Sequence, residues 1–421
     1  MRFVHVRCLA ASLWAWLWAS SVFAHAAEQS ITFAETLKRC EAAPTVRAVE
    51  AALKVKRGLD PELGSLVHNP QITVQAGYRN DTGGQGADVQ VSIQQGLNLA
   101  GYAKARRRSA ELEEATLAAE WKATLLAEQL GAARLWSELW GAEQAEENVN
   151  EEVDLARQTL LRTERLFQGG AATQVDVATA RTYLAEVQGR RLAAEGEVVE
   201  LGLQLSRWLG VGGALHASGQ PEDPRLPVLS DTLLTEALRK LAALPEPSMR
   251  RLAEQSERAR AEETVAQRGT QLYVGAMWLR EPTAPWAAFG TLTLSLPAFE
   301  RGQRERADQL AAAARLGVQT EAAVSGAQAD LRQALHDVSH FGELGKLITE
   351  TLLPSSAREV ALRERLLAAG DGTILEVLMA RRAYVAARTQ SARVRANLIG
   401  SRQRLALYLT ALGLFDAESG R

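Results

Sequence analysis

Four segments of the chain alternate between apolar and polar residues with the period of two that is typical of β-strands. The predicted strands lie at about 70–78, 89–97, 271–279 and 290–297. Asn80, Asp81 and three glycines favour a hairpin loop between the first two strands, and Pro282 and Pro285 favour one between the second two. The pattern therefore predicts two β-hairpins, each with one apolar and one polar face.

Such hairpins fit two environments. Outer-membrane strands of about ten residues present one face to lipid and the other to water. In a soluble domain the same hairpins would bury the apolar face against other elements. Four strands cannot close a membrane barrel, because the smallest such barrel has about eight. In the membrane case, closure would require several copies of the chain.

Most of the remaining sequence is rich in Ala, Leu, Glu and Arg, which are strong helix formers. Residues 102–167 contain no proline, and as one helix they would span ~100 Å at the usual rise per residue. Helices this long require coiled-coil partners, from the same chain or from copies of it. Pro354 predicts a break or bend. The other long helices are predicted at 173–209, 301–353, 355–367 and 373–409.

The two halves of the chain repeat each other at an offset of 200 residues. Residues 164–177 and 364–377 share Glu, Arg, Leu, Gly, Thr and an acid at matching steps. A repeat this long indicates a duplicated half-molecule. Pro44-Thr45-Val46-Arg47 is echoed at Pro247 at an offset of 203. The predicted organisation is a signal peptide at 1–26, a first repeat at 27–211, a linker at 212–230, a second repeat at 231–414 and a tail at 415–421.

The residues of the repeated segment predict that one helix ends and another begins within it. Turns are predicted at 168–173 and 368–373, because glycine tolerates the left-handed backbone that ends a helix. Thr173 with Asp176, and Thr373 with Glu376, have the spacing of a capping box. Each half therefore contains two long helices joined by a tight, capped turn.

The amino terminus predicts export from the cytoplasm. Arg2 and Arg7 precede an apolar stretch, and Ala24-His25-Ala26 fits a cleavage site after Ala24 or Ala26. Cys8 lies in the segment to be removed, which leaves Cys40 without a partner for an internal disulfide. We interpret Cys40 as a residue that packs inside a helical core.

The composition and the candidate reactive side chains restrict the classes of function that the chain can have. The chain has 48 basic and 50 acidic residues, which argues against nucleic acid as a partner. No catalytic constellation or cofactor motif is present, so we expect neither an enzyme nor a cofactor. His336 and His340 have a metal-ligand spacing on one helical face. Their counterparts at the 200-residue offset are Trp136 and Trp140, which favours packing positions over a metal site.

The element order, duplicated behind a signal peptide, resembles the TolC family of outer-membrane efflux proteins over residues 31–414. The sharpest motif is a glycine with Thr three residues later and an acid six residues later, at Gly170 and at Gly370. Within the family the chain resembles the CzcC-like metal-efflux branch. That resemblance rests on Ser92–Gly101, Arg106–Arg108 and Leu294–Gly302.

The resemblance implies a homotrimer in the outer membrane. Three chains would contribute twelve strands to one β-barrel, and their helices would form a periplasmic tunnel. The tunnel tip would dock a periplasmic adaptor protein of an inner-membrane pump of the RND type. The implied docking residues are Leu166, Gly170, Thr173, Asp176, Leu366, Gly370 and Thr373.

The resemblance also implies a ring of three Glu376 carboxylates at the narrowest point of the tunnel, which would attract cations. The chain departs from the family pattern nearby, with Met379 in place of a second acid and Gly372 where a basic residue can lock the tip. The implied function is a passive conduit for efflux, including efflux of heavy-metal cations. Two alternatives remain: a type I secretion outlet, and a soluble periplasmic coiled-coil scaffold or metal-binding protein.

Overall fold

A computed structural model describes residues 29–59, 69–81, 84–221, 223–224, 226–227, 230–281 and 284–415. The predicted signal peptide lies outside these residues. The elements are β1 (Gln29–Ile31), α1 (Phe33–Arg39), α2 (Pro44–Leu59), β2 (Gln71–Asp81), β3 (Gly84–Asn98), α3 (Tyr102–Gln168), α4 (Gln174–Leu209), β4 (Leu215–Ala217), α5 (Asp231–Lys240), α6 (Pro245–Gln267), β5 (Gln271–Glu281), β6 (Ala284–Ser295), α7 (Gln303–Leu347), α8 (Leu353–Ala369) and α9 (Ile374–Ala411). The prediction of a mainly helical chain with a small β part is confirmed.

Among the described residues, no helix is both long and apolar enough to cross a membrane. The chain forms two compact units, and each takes segments from both halves of the sequence. The first unit, called the helical unit here, comprises the described residues within 29–47, 125–238 and 328–415. The second, called the sheet unit, comprises residues 48–124 and 239–327.

The region of Pro354 departs from α-helical geometry, as predicted for a proline inside a long helical segment. A π-helical turn, Ile348–Leu352, separates α7 from α8. Pro354, the second residue of α8, has no N–H to donate to the carbonyls of the π-helical turn that precedes it. The Ser356 hydroxyl donates to the Leu352 carbonyl over 2.8 Å, four residues earlier.

The helical unit has an apolar core around Trp136. This side chain is fully buried, packs edge-on against Phe33 at a ring distance of 5.4 Å, and donates from Nε1 to the Ile31 carbonyl over 2.9 Å. Trp140 is also buried. Both tryptophans are therefore packing residues, as the sequence comparison of the two halves predicts. Further members of this core are Leu139, Val198, Leu205, Leu209 and Leu215.

Part of the segment predicted as a linker is a strand. β4 pairs in parallel with β1, with Ser30 opposite His216. The Glu143 carboxylate accepts a hydrogen bond from the Ala217 N–H over 3.0 Å and contacts His216 Nδ1 over 3.1 Å. Burial raises the pKa of the Glu143 carboxyl above its usual range. A strand of three residues is too short to produce a detectable alternation, so sequence alone did not reveal this contact.

Cys40 is fully buried in the helical unit, where its Sγ donates to the Thr36 carbonyl over 3.3 Å. Burial, with a smaller contribution from the charge of Glu128, raises its pKa to about 12. Because the thiolate is the reactive form, we expect Cys40 to resist maleimide in the native protein at pH 8 and to react fully after denaturation. Peptide mapping by mass spectrometry measures this. Native labelling as fast as that of a small free thiol would contradict the burial.

The sheet unit contains one antiparallel sheet in the order β2-β3-β5-β6. The first hairpin continues past the predicted strand end, to the pair Asp81 and Gly84. Two side-chain contacts support this extension: Gln85 donates to Asn80 over 2.7 Å, and Arg79 pairs with Asp88 over 2.9 Å. The predicted loop at 79–88 is therefore largely strand.

Two helices precede each hairpin. A 3₁₀ turn, Cys40–Ala42 or Leu241–Ala243, comes between them in each half. The second helix of each pair begins at a proline, Pro44 or Pro245. The helix starts are therefore related by an offset of 201, which differs by two residues from the sequence match of Pro44 with Pro247. Proline is favoured at the first helical position, where its missing N–H would have no intrahelical partner in any case.

Candidate functional site: an exposed sheet face and two capped helix turns

One face of the sheet is apolar and exposed. The register aligns Val74 with Val91, and Val91 with Trp278, so these side chains share a face. Val74 is 64% exposed in the single chain. The other exposed apolar residues at positions of this face are Ile72, Tyr78, Val89, Ile93, Leu97, Val274, Leu292 and Leu294. A patch of this extent is unusual on a protein surface in water and indicates a lipid or protein contact.

The opposite face differs between the two hairpins. On β2 and β3 it is polar, as predicted, with Thr73 opposite Ser92 and Gln75 opposite Gln90. On β5 and β6 it is mixed, because Met277 and Phe289 face each other among threonines. The predicted separation into one apolar and one polar face therefore holds for the first hairpin and only in part for the second.

The first helix turn joins α3 to α4. Gly170 has a φ of 75°, a left-handed conformation that glycine adopts without strain. The Gly170 N–H donates to the Phe167 carbonyl over 3.0 Å, and the Ala171 N–H donates to the Leu166 carbonyl over 2.8 Å. These bonds satisfy the last carbonyls of α3 in the pattern of a Schellman motif. The Leu166 side chain is half-buried beside the turn.

The second turn joins α8 to α9 with the same geometry. Gly370 has a φ of 86°, its N–H donates to the Leu367 carbonyl over 3.2 Å, and the Asp371 N–H donates to the Leu366 carbonyl over 3.0 Å. The Leu366 side chain is exposed. The two predicted glycine turns are therefore present at an offset of 200.

Both helices that follow the turns begin with the predicted capping box. Thr173 donates its N–H to Asp176 Oδ2 over 2.8 Å and accepts the Asp176 N–H over 3.2 Å. Thr373 and Glu376 make the equivalent pair of bonds at 3.3 Å each. Because the cap bonds fix where each helix begins, both turns are held in one conformation.

An ion pair spans each helix hairpin below its turn. Arg181 pairs with Glu164 over 3.1 Å, and Arg381 pairs with Glu364 over 2.6 Å, again at an offset of 200. Arg381 also donates to the Thr159 hydroxyl over 2.7 Å, which connects the second hairpin to the first. The repeated Glu and Arg at a spacing of 17 residues in both halves could have revealed the pair from sequence.

The two hairpins share a core that contains a buried carboxyl. Glu152 is 1% exposed and accepts a hydrogen bond from the Tyr183 hydroxyl. Burial raises the pKa of Glu152 and also that of Tyr183. Sequence reasoning missed this pair, because an acid within a charged helix gives no sign of being buried. The apolar members of this core are Val149, Val153, Ala156, Ala180, Val187, Ile374 and Leu378.

A groove lies between the amino-terminal parts of α4 and α9, and its lining begins at Val175 and Leu375, two residues after the capping threonines. Its volume is about 390 Å³. Val175, Leu375 and Met379 line it with exposed apolar side chains, and Glu186 and Arg382 form an ion pair of 2.9 Å at its side. An apolar groove with a charged side is suited to an amphipathic helix.

Glu376 makes contacts within its own chain. Besides capping α9, its carboxylate lies 3.5 Å from Arg363 Nη1, and 43% of the side chain remains exposed. The acid is therefore available for further interactions beyond its capping role. Met379, one helical turn later, is exposed on the groove.

His336 and His340 stack their rings at a centroid distance of 5.7 Å on the surface of α7. Both are exposed, so the interpretation of these two histidines as packing residues is wrong for the single chain. Asp337, between them in sequence, is paired with Arg404 over 3.1 Å. Within the described part of the chain, no group of three or more His, Cys, Asp or Glu side chains is arranged to hold a metal ion.

Comparison with solved structures identifies the fold. The chain is similar to the outer membrane protein VceC of Vibrio cholerae, at 17% identity and a TM-score of 0.65 over 90% of this chain and 96% of that one. It is similar to the CmeC outer membrane channel of Campylobacter jejuni, at 13% identity and a TM-score of 0.68 over 92% and 88%. It is also similar to the MtrE outer membrane channel of Neisseria gonorrhoeae, at 16% identity and a TM-score of 0.62 over 90% and 88%.

No protein-family model and no curated protein matches the chain. The structural likenesses extend over nearly the whole chain, and at these identities they establish its fold. The fold expected from the resemblance to the TolC family is thereby confirmed. The CzcC-like branch stays a prediction.

Proposed function

We propose that this chain, which has the fold of the TolC-family channels, is the outer-membrane component of a tripartite efflux system. In this proposal it is a passive homotrimeric conduit and not an enzyme. It sits in the outer membrane with its helices in the periplasm, and it docks a periplasmic adaptor and an RND-type inner-membrane pump.

The observation that carries the proposal is the exposed apolar face of the sheet. β2 and β6 are the edges of the described sheet, and each pairs on one side only. Unpaired edges and an apolar surface would promote aggregation in water, whereas both are satisfied if copies of the sheet join edge to edge in lipid. Four strands per chain fall short of the smallest closed barrel, so closure requires several copies. The resemblance to the TolC family implies three copies, which supply twelve strands.

The two capped turns support the docking part of the proposal. They occur twice at the same offset, and the α4–α9 groove lies beside them. Gly170, Gly370, Thr173 and Thr373 set the turn conformation, and the groove supplies an apolar contact for a helix of the adaptor. The ion pair of Glu186 with Arg382 would orient that helix.

The proposed ring of Glu376 can be tested electrically. Conductance steps of the purified trimer in a planar bilayer would establish a channel, and an inactive but well-folded trimer would contradict the conduit. Glu376→Ala should lower the preference for cations over anions at least twofold, because three carboxylates at a constriction attract cations.

Asp176→Ala is the matched control for that variant. It removes the equivalent acid, the third residue of the helix after the first turn, where an acid near the positive end of the helix dipole contributes about 0.3–1 kcal/mol. The control should leave ion selectivity unchanged. If Glu376→Ala and the native protein have equal ion selectivity, Glu376 only caps its helix and does not select cations.

The cargo proposed from the CzcC-like resemblance is a heavy-metal cation. Deleting the gene should lower the tolerance of its host to zinc, cobalt or cadmium, and plasmid expression should restore it. Sensitivity to organic dyes without any change in metal tolerance would contradict this cargo and leave the conduit proposal intact.

A further inference from the structure

We infer that the junctions between the sheet and the helices that follow it bind anionic phospholipid at the inner face of the membrane. The binding surface, called the junction surface here, comprises residues 99–110 after β3 and residues 296–308 after β6. Both segments belong to the sheet unit. The inference rests on the proposed function, since it requires the sheet to lie in a membrane.

The apolar part of the junction surface continues the apolar sheet face. Leu97 and Leu294 lie on that face, and Leu99 and Leu296 follow at the same alternation. The Leu99 N–H donates to the Thr270 carbonyl over 3.1 Å, so strand-like pairing extends beyond β3. Leu99 and Leu296 are 59% and 66% exposed.

Phe299 marks the end of this apolar strip. Its side chain is 93% exposed, the most exposed among the large apolar side chains of the described residues. An aromatic side chain in open water loses the benefit of burial, whereas at a membrane interface it lies among acyl chains and headgroups. Phe299 therefore fits the level at which the apolar sheet ends.

Basic side chains follow directly. The junction surface carries seven basic residues and three acidic ones, although the whole chain has a net charge of −2. Lys104 and Arg107, three residues apart and so on one side of α3, are exposed. Arg304, the second residue of α7, is exposed as well. These three side chains make no ion pair within the described residues.

A groove of about 630 Å³ adjoins the junction surface between α6 and α7. Val265, Leu310 and Pro297 give it an apolar lining. Its charged lining is Arg258, Arg306 and Glu262, and the Glu262 carboxylate is paired with Arg108 over 3.2 Å. Along the junction surface, from the sheet towards the helices, apolar side chains come first and cations follow. This order matches that of a phospholipid, in which the acyl chains are followed by the phosphate. The charge complementarity selects anionic headgroups over neutral ones.

The test is native mass spectrometry of the full chain extracted in mild detergent and titrated with phosphatidylglycerol or phosphatidylcholine. The native protein should bind phosphatidylglycerol at least threefold more tightly than phosphatidylcholine. The variant Lys104→Gln/Arg107→Gln should lose at least fivefold in affinity for phosphatidylglycerol. Inorganic phosphate alone should not displace the lipid, because the acyl chains contribute to binding.

Lys122→Gln/Arg315→Gln is the matched control. It also removes one exposed lysine and one exposed arginine of the sheet unit, outside the junction surface, and should bind like the native protein. Equal losses in both variants, or no loss in the junction variant, would overturn the inference. If the protein is a membrane-inserted trimer without lipid preference, this inference alone fails. If it is neither trimeric nor membrane-bound, the proposed function fails.

Discussion

Replacing Val74 with lysine is expected to abolish accumulation of the protein in the outer membrane. Val74 lies on the apolar sheet face and is already 64% exposed in the single chain. On a surface in water, such a substitution changes stability by no more than about 0.5 kcal/mol. In lipid, a lysine near the middle of the membrane costs about 2–4 kcal/mol. A trimer would carry three such lysines, so this cost would apply three times.

Gln75→Lys is the matched control, because the neighbouring residue points to the opposite, polar face of the same strand. It should insert normally and form trimers. Membrane fractionation followed by immunoblotting measures both variants. Normal insertion of Val74→Lys would mean that this face does not contact lipid, and would favour the soluble scaffold alternative.

Replacing both turn glycines with valine is expected to abolish export while trimers remain in the membrane. Gly170 and Gly370 have φ values of 75° and 86°, which are unfavourable for any residue with a Cβ and most of all for a β-branched one. A Cβ at either position would have no atom within 4 Å, so the conflict is confined to the backbone. The strained turn would rearrange and displace the neighbouring caps and groove.

Substitution of both glycines with asparagine shows whether export requires the turn conformation or glycine itself. Asn adopts the left-handed conformation more readily than other residues with a Cβ. We therefore expect Gly170→Asn/Gly370→Asn to retain most of the export measured for the native protein with its pump. Export by the valine variant at the native level would show that the turns are not the docking site.

The sequence predicted those features that depend on local chemistry. Glycine after a helix marks the end of that helix, and Thr with an acid three residues later marks the start of the next. Both turns are present as expected, at Gly170 and Gly370. Strand alternation located the sheet, although the hairpin extends to Asp81 and Gly84 because ladder pairing continues through residues that would also suit a loop.

Features that depend on distant parts of the chain could not be predicted in the same way. β4 exists because three residues pair with β1, about 185 residues earlier in the sequence. Glu152 is buried only because Tyr183 and the second hairpin pack over it. A single sequence contains no signal for either, since acids and short apolar segments are common on helix surfaces and in linkers.

The mass of the protein extracted from outer membranes, measured by light scattering and corrected for bound detergent, tests the central claim most directly. The account predicts three chains per particle, the number that the resemblance to the TolC family implies, so that three sheets of four strands supply one barrel. A single chain that stays in solution without detergent would contradict the account, and the exposed sheet face would then require a different partner.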